Sequence, residues 1–330
     1  MLKVAVIGAG TMGSTHAHSY VKMTNAKLVG IVDIRGEKAE ALAQKCSTSA
    51  FSTFDELLTT EDPDIIDICV PTYLHKSFVY QASAAKKHVI CEKPITRTLQ
   101  EAAEMIQICK EAGVRLFIGQ VVRFFPEYKQ IYDTLKAGEI GEIGTVHAFR
   151  GGGFPGGSWG DWYANVAKSG SLIVDLMIHD IDYLRWCFGE VERVYAKSLL
   201  GRELNRFDHA FVSLRFKNGV IAHVEGSWAY PGGFRTELEV CGREGIVHYD
   251  SAQAAPIHTS LRTTAAGGSG VAVPESPLQK SPYQLELEHF VDCIAQNKEP
   301  IVRAEDAYKA LEISLAALES AQTGSVVKLM

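Results

Sequence analysis

The sequence predicts an α/β protein with two domains, a doubly wound parallel sheet followed by an α+β domain, and three observations carry that reading. The first is size: 330 residues make about two domains at roughly 100 to 200 residues each, both large enough to bury a core of their own. The second is composition, with 46% hydrophobic and 22% charged residues, which suits a globular chain and excludes disorder or a fibrous repeat. The third is a change of pattern: to about residue 120 short apolar runs alternate with stretches of helical spacing, and after about residue 145 one helical stretch is followed by successive strand-like segments. We therefore divide the chain into residues 1–120 and 121–330.

In the N-terminal domain, Lys3 to Ile7, Lys27 to Val32, Ile65 to Val70, His88 to Cys91 and Arg115 to Ile118 read as strands. Each is apolar along its length instead of alternating, as strands covered by helices on both faces must be. A helical pattern follows each one, giving βαβ units, whose right-handed crossovers place a ligand crevice at the carboxyl ends of the strands. In the C-terminal domain a single helix is expected over Leu172 to Cys187. Strands follow over Val191 to Leu199, His209 to Phe216, Val220 to Trp228 and Arg235 to Cys241. Lys217-Asn218-Gly219 lies between two of them and reads as a hairpin turn, because Asn-Gly accepts positive φ. Strands joined by tight turns make a mainly antiparallel sheet. Residues 262 to 282, centred on Gly267-Gly268-Ser269-Gly270, read as a loop. Helices over Gln284 to Gln296 and Ala304 to Ala321 and a short strand from Ser325 close the chain.

Charge and cysteine usage narrow the function classes. The net charge is −6, and the 33 lysines and arginines are dispersed, so no electrostatic footprint for nucleic acid is present. Seven cysteines without a C-x-x-C pair fit reduced thiols better than a disulfide framework. The apolar start, Leu2 to Ile7, is too short for a signal-peptide core. No stretch approaches the ~18 apolar residues of a membrane span. A cytoplasmic protein with no membrane partner is the expectation.

Gly8-Ala9-Gly10-Thr11-Met12-Gly13 follows the first strand and opens the first helix. A G-x-G-x-x-G string alone is weak evidence, but this setting is that of a Rossmann dinucleotide site. Gly8 permits a tight turn, Gly10 lets a pyrophosphate approach the backbone, and Gly13 allows close helix–strand packing. The amide groups of Thr11 and Met12 open the helix at its positive end. Asp33 ends the second strand, twenty residues after Gly13, where a carboxylate accepts hydrogen bonds from ribose hydroxyls. NAD is therefore expected over NADP, although Arg35 stands ready to pair with a 2'-phosphate.

Two further groups suit chemistry. Cys91-Glu92-Lys93-Pro94-Ile95 ends a strand, which puts Lys93 at the rim of the crevice, where its ammonium can hold a hydroxyl and favour a developing alkoxide. A surface Glu-Lys pair before a helix-starting proline is the bland alternative. Asp175, His179 and Asp182, spaced by four and three, share one face of the expected helix. A histidine held by a carboxylate is the usual general acid/base arrangement. A satisfied buried histidine competes with that reading, and Asp182 has orientation or capping as its alternative. A metal site is disfavoured because no further His or Cys cluster completes a shell. The loop Gly151 to Asn165 carries Phe154, Trp159, Trp162 and Tyr163; such rings either stack on a sugar or plug an interface. His16 and His18 read as structural or solvent-facing.

Taken together, Gly8 to Gly13 with Asp33, Pro71-Thr72-Tyr73-Leu74-His75, Glu92-Lys93-Pro94, Arg123 in Val122-Arg123-Phe124-Phe125-Pro126, and Asp175 to Asp182 resemble the glucose-fructose oxidoreductase and inositol dehydrogenase family. The resemblance runs along nearly the whole chain and extends to the terminal helices. It implies a large, open C-terminal sheet and hydride transfer between nicotinamide and a secondary alcohol of a sugar or cyclitol, inositol-type substrates first. By motif position Lys93 would polarise the reacting oxygen, His179 would handle the proton, and Asp175 would support it. Thr72, His75 and Glu92 would lie along the nicotinamide ribose, and Arg123 would stand near the substrate; Trp162, from the aromatic loop, is the other candidate substrate contact. The family also implies a homo-oligomer, dimer or tetramer, through the second sheet, and a terminal segment of about thirty residues that returns to the nucleotide domain. An NADP-dependent keto-sugar reductase, a glycoside dehydrogenase and a non-catalytic dinucleotide sensor remain as alternatives.

Overall fold

A computed structural model describes residues 1–199, 208–253 and 280–329, so the loop expected around Gly267 to Gly270 lies outside the described residues. The chain forms two compact units, Met1–Phe124 with Glu275–Tyr308, and Phe125–Pro274 with Lys309–Met330.

The first unit holds strands β1 (Leu2–Ile7), β2 (Ala26–Val32), β3 (Ser49–Phe51), β4 (Ile65–Ile68), β5 (His88–Glu92) and β6 (Leu116–Gly119). They pair in parallel in the order β3-β2-β1-β4-β5-β6, with the reversal of order beside β1 that opens a ligand crevice. Five of these strands match the apolar runs. β3 was hidden because its three residues are too few to show a period. Helices α1 (Thr11–Lys22), α2 (Gly36–Cys46), α3 (Phe54–Glu61), α4 (His75–Ala84) and α5 (Leu99–Ala112) make the crossovers.

The second unit contains α6 (Pro126–Ala137), β7 (Ile143–Gly151), α7 (Val166–Ser169), α8 (Ser171–Asp175), α9 (Ile178–Phe188), β8 (Val191–Ser198), β9 (His209–Phe216), β10 (Ile221–Ser227), β11 (Arg235–Gly242) and β12 (Ile246–Asp250). The seven strands run in the order β12-β11-β7-β10-β9-β8-β13, where β13 is Val327–Lys328. All neighbours are antiparallel except β7 and β10. The β9–β10 hairpin turns at Gly219 with φ of +100°. One face is buried through Val212, Leu214, Ala222 and Val224, while Phe211 and Ile221 point outward and are exposed, the alternation of a sheet covered on one side.

Two expectations need correction. The single helix over Leu172 to Cys187 is two helices, because α8 stops at Asp175 and α9 begins at Ile178. At the break Met177 N–H bonds five residues back to Leu172, and His179 N–H bonds three back to Leu176. Met177 packs here on Gly226 of β10, where a Cβ would come within 2.4 Å of its side chain. The terminal segment also divides differently. α10 (Pro282–Ala295) belongs to the first unit, where Leu287, Phe290 and Val291 join the core with Phe117 and Phe124. From Lys309, within α11 (Ala304–Thr323), the chain belongs to the second unit and ends as β13 against β8. The apolar face of α10, with Val302 after it, completes the core of the nucleotide unit, and only the start of the last thirty residues belongs there.

Candidate active site

The glycine loop is built as a cradle. Gly8 takes φ of +105°, and a Cβ there would meet Cys69 O at 2.5 Å. A Cβ on Gly13 would lie 1.7 Å from Gly8 O, so only glycine lets α1 pack this closely. Gly10 is different: no atom lies within 4 Å of its Cβ position, and no side chain caps the helix it precedes. Space and free N–H groups therefore coincide, which fits a pyrophosphate. Asp33 follows β2 and is buried. Its Oδ2 accepts Ala9 N–H at 2.8 Å, and both oxygens accept from Arg35, at 2.8 and 2.9 Å. Burial disfavours its charge, but the Arg35 and backbone hydrogen bonds outweigh that and hold its carboxyl below the usual range. Arg35 is thus already paired with the Asp33 carboxylate.

At the carboxyl edge of the same sheet, Lys93 follows β5, half-buried, and the Lys93–Pro94 peptide is cis. Glu92 is buried. Its Oε2 accepts Lys93 N–H at 3.0 Å and its Oε1 lies 3.1 Å from His16 Nε2. Thr72 is buried in the turn Thr72–Leu74. His75 opens α4. It is buried, Nε2 faces Val70 O at 2.9 Å and Nδ1 faces Pro94 O at 3.0 Å. Burial pushes its pKa down against the pull of those carbonyls. The ring nitrogens face carbonyls of both loops, so His75 ties the loop after β4 to the Pro94 loop.

Arg123 lies in the short turn Val121–Phe124 after β6. Its guanidinium is buried and donates to Ile301 O at 2.9 Å and Asp306 Oδ2 at 3.2 Å. That arrangement pins the segment after α10 to the end of β6.

In the second unit Asp175 ends α8, buried, and His179 opens α9, half-buried. The break at Leu176–Met177 removes the helical argument for placing Asp175 and His179 on one face, while His179 and Asp182 keep their spacing inside α9. Buried Asp180 braces α9 against β7 by pairing with Arg150 at 2.7 and 2.9 Å, and Tyr183 donates to Tyr128 O at 2.8 Å. Trp162 is buried and stacks on Tyr163 at 3.9 Å between centroids. Tyr163 and Phe154 meet Trp228 edge-on at 6.2 and 5.4 Å. Trp159 alone of these rings is well exposed, at 46%.

Several polar residues went unread in the sequence. Asp67 interrupts the apolar run of β4, and that interruption was the available signal. Gln120 follows β6 beside the end of β5, buried, and neither amide atom finds a hydrogen-bond partner among the described residues. Asp208 lies beside the start of α8 with its Oδ2 3.4 Å from Leu172 N, and burial raises its pKa. Nothing in the linear sequence marks these two.

Comparison with known proteins settles the family. Residues 2–120 match the profile of an oxidoreductase family with an NAD-binding Rossmann fold, and residues 128–248 match the GFO/IDH/MocA C-terminal domain. The chain belongs to the GFO/IDH/MocA oxidoreductase family. It is 31% identical to the scyllo-inositol 2-dehydrogenase (NAD(+)) of Bacillus subtilis, covering 99% of this chain and 96% of that protein. It is 30% identical to the myo-inositol 2-dehydrogenase of Thermotoga maritima, covering 99% and 98%. Among solved structures it resembles GenD2 from gentamicin A biosynthesis in complex with NAD, with a TM-score of 0.90 at 25% identity, over 100% of this chain and 96% of that chain. The protein is accordingly an NAD-dependent dehydrogenase of the kind that acts on CH–OH groups. No helix among the described residues is long and apolar enough to cross a membrane.

Proposed function

We propose that this member of the family oxidises a secondary alcohol of a cyclitol or sugar, with an inositol as the leading candidate, and reduces the matching ketone in reverse. The carrying observation is the similarity to two inositol 2-dehydrogenases along 99% of the chain. The absence of a dense basic cluster in the sequence agrees with an uncharged substrate. When bound, NAD⁺ supplies the hydride acceptor, for which the Gly10 opening and Asp33 provide the fit. In this reading the Lys93 ammonium holds the reacting hydroxyl and steadies negative charge on its oxygen. His179 removes the hydroxyl proton during oxidation and returns it during reduction, and Asp175 supports the imidazolium. The balance is alcohol plus NAD⁺ to ketone, NADH and one proton.

A spectrophotometric screen of inositols, aldoses, keto-sugars and glycosides, with NAD and NADP in both directions, tests the substrate class. Lys93→Met is expected to bind NAD normally and lose nearly all turnover, and His179→Ala to lose about 10²-fold or more. Near-normal turnover of the Lys93 variant on a confirmed substrate overturns the mechanism. Tight NAD binding with no turnover of any polyol or sugar overturns the function.

A further inference from the structure

Beneath the glycine loop lies a line of buried polar groups centred on His16 and Asp67, two residues with no part in the cofactor and proton chemistry proposed above. His16 on α1 and Asp67 on β4 are 0% exposed and Glu92 on β5 is 7% exposed. His16 Nδ1 meets Asp67 Oδ2 at 2.8 Å, and the same oxygen accepts Tyr20 OH at 2.9 Å. On the other side, His16 Nε2 and Glu92 Oε1 form an ion pair at 3.1 Å, off the axis of a well-aligned hydrogen bond. The second Glu92 oxygen accepts the backbone N–H of Lys93. The line therefore runs from Tyr20 through Asp67, His16 and Glu92 to the Lys93 backbone.

Both imidazole nitrogens face carboxyl oxygens, and only the doubly protonated ring can donate to both. Burial works against that charge, but Asp67 beside the ring outweighs it and raises the His16 pKa well above 6.5. Burial likewise opposes a charged Glu92, yet His16 and Lys93 together lower its pKa. The other groups packed here are the Cys69 thiol, 3.3 Å from Nδ1 and pushed up by burial; Tyr283 of α10, its ring 6.4 Å from that of His16; and buried Glu286, whose charge acts on Tyr20. His16, Asp67 and Cys69 are near enough to one another to ligate a metal, but a protonated Nδ1 that donates to Asp67 Oδ2 has no lone pair to offer one. Buried ion pairs of this kind rarely improve on an apolar core of the same volume, so stability alone does not account for them.

We propose that His16 is a positioning residue: through Glu92 it holds the Lys93 backbone, and so aims the Lys93 side chain at the reacting oxygen. The inference rests on the reading of Lys93 given above. It also links the helix that opens at the dinucleotide loop to the residue that touches substrate, because His16 stands three residues beyond Gly13. Without the imidazolium, Glu92 becomes a buried carboxyl with Asp67 close by, takes up a proton, and is a poorer acceptor for the Lys93 amide.

The test compares wild type with His16→Asn, Glu92→Gln and the double variant, reading kcat against pH, NAD affinity, and hydrogen exchange at the Lys93 amide by mass spectrometry with residue-level fragmentation. His16→Asn is expected to lower kcat by about tenfold or more, as small misplacements of reacting groups do. It should also leave NAD affinity within about threefold, speed exchange at the Lys93 amide, and regain activity as pH rises and Glu92 ionises again. In the Glu92→Gln background the same substitution should cost little more. An unchanged kcat and amide exchange overturns the proposal, as does a loss that is additive with Glu92→Gln and flat with pH. Should His16→Asn fail to fold, the isosteric Glu92→Gln variant alone decides by its Lys93 exchange rate. Amide exchange reports positioning whether or not Lys93 is catalytic, so failure of the Lys93→Met test and failure of this one are distinguishable.

Discussion

At the scale of single residues, the glycines of the loop separate folding from binding. Gly13 has no room for a methyl group because Gly8 O stands 1.7 Å from the Cβ position, whereas Gly10 has nothing within 4 Å and an ordinary φ of −80°. Gly10→Ala should therefore fold with an unchanged melting temperature and lose NAD affinity, since the added methyl group enters the space a pyrophosphate needs. Gly13→Ala should lower the melting temperature as well, because α1 must move away from β1. Thermal melts with and without NAD check both; a stable Gly13→Ala that binds NAD would show that the helix yields more easily than its packing indicates. The close packing at Gly13 was legible in sequence because the atom it meets belongs to Gly8 of the same glycine motif. The backbone contacts of His75 and the pairing of Arg123 were not, since Pro94, Ile301 and Asp306 lie 19 to 183 positions off and no motif joins them.

At the scale of elements, periodicity identified long apolar strands and amphipathic helices and failed where tertiary contacts override it. The helix expected from Leu172 onward is broken, not by proline or glycine within it, but at Leu176–Met177, where Met177 meets Gly226 of β10. Strands β7 and β12 were passed over because residues such as Thr145, His147 and His248 interrupt their apolar content on the exposed side. What fixes α9 in place is the Arg150–Asp180 pair, at 5% and 2% exposure. Removing one partner leaves a buried charge alone, so Asp180→Ala should cost about 3–5 kcal/mol of stability. The double variant Arg150→Met, Asp180→Leu removes both charges and should recover most of that loss. Urea titrations of the single and double variants measure the difference. A double variant no more stable than Asp180→Ala would mean that shape, rather than charge balance, holds the helix to the sheet.

At the scale of the whole molecule, the boundary a sequence reader draws near residue 120 follows the family's linear order, but the folded units do not end there. The first unit takes back a segment more than 150 residues later, from Glu275 to Tyr308, and its core depends on it. Phe290 of α10 stacks on Phe117 at 4.9 Å and meets Phe124 edge-on at 6.0 Å, with Leu287, Val291 and Val302 in the same cluster. Arg115 adds a hydrogen bond to Cys293 O, and Arg123 reaches Ile301 O. A fragment ending at Phe124 would expose Phe117 and Phe124 to water and leave Arg123 without the two groups it holds. It should therefore show no cooperative unfolding transition and no NAD binding, although it contains every strand of the parallel sheet and the complete glycine loop. In the full chain, Phe290→Ala should cost about 3–5 kcal/mol, the range for truncating a buried aromatic ring, and should lower NAD affinity only through the population of folded protein. Circular dichroism melts of the fragment and denaturant titration of the variant provide the check. A residue 1–124 fragment that melts cooperatively and binds NAD would show that the parallel sheet is self-sufficient and that α10 serves another purpose.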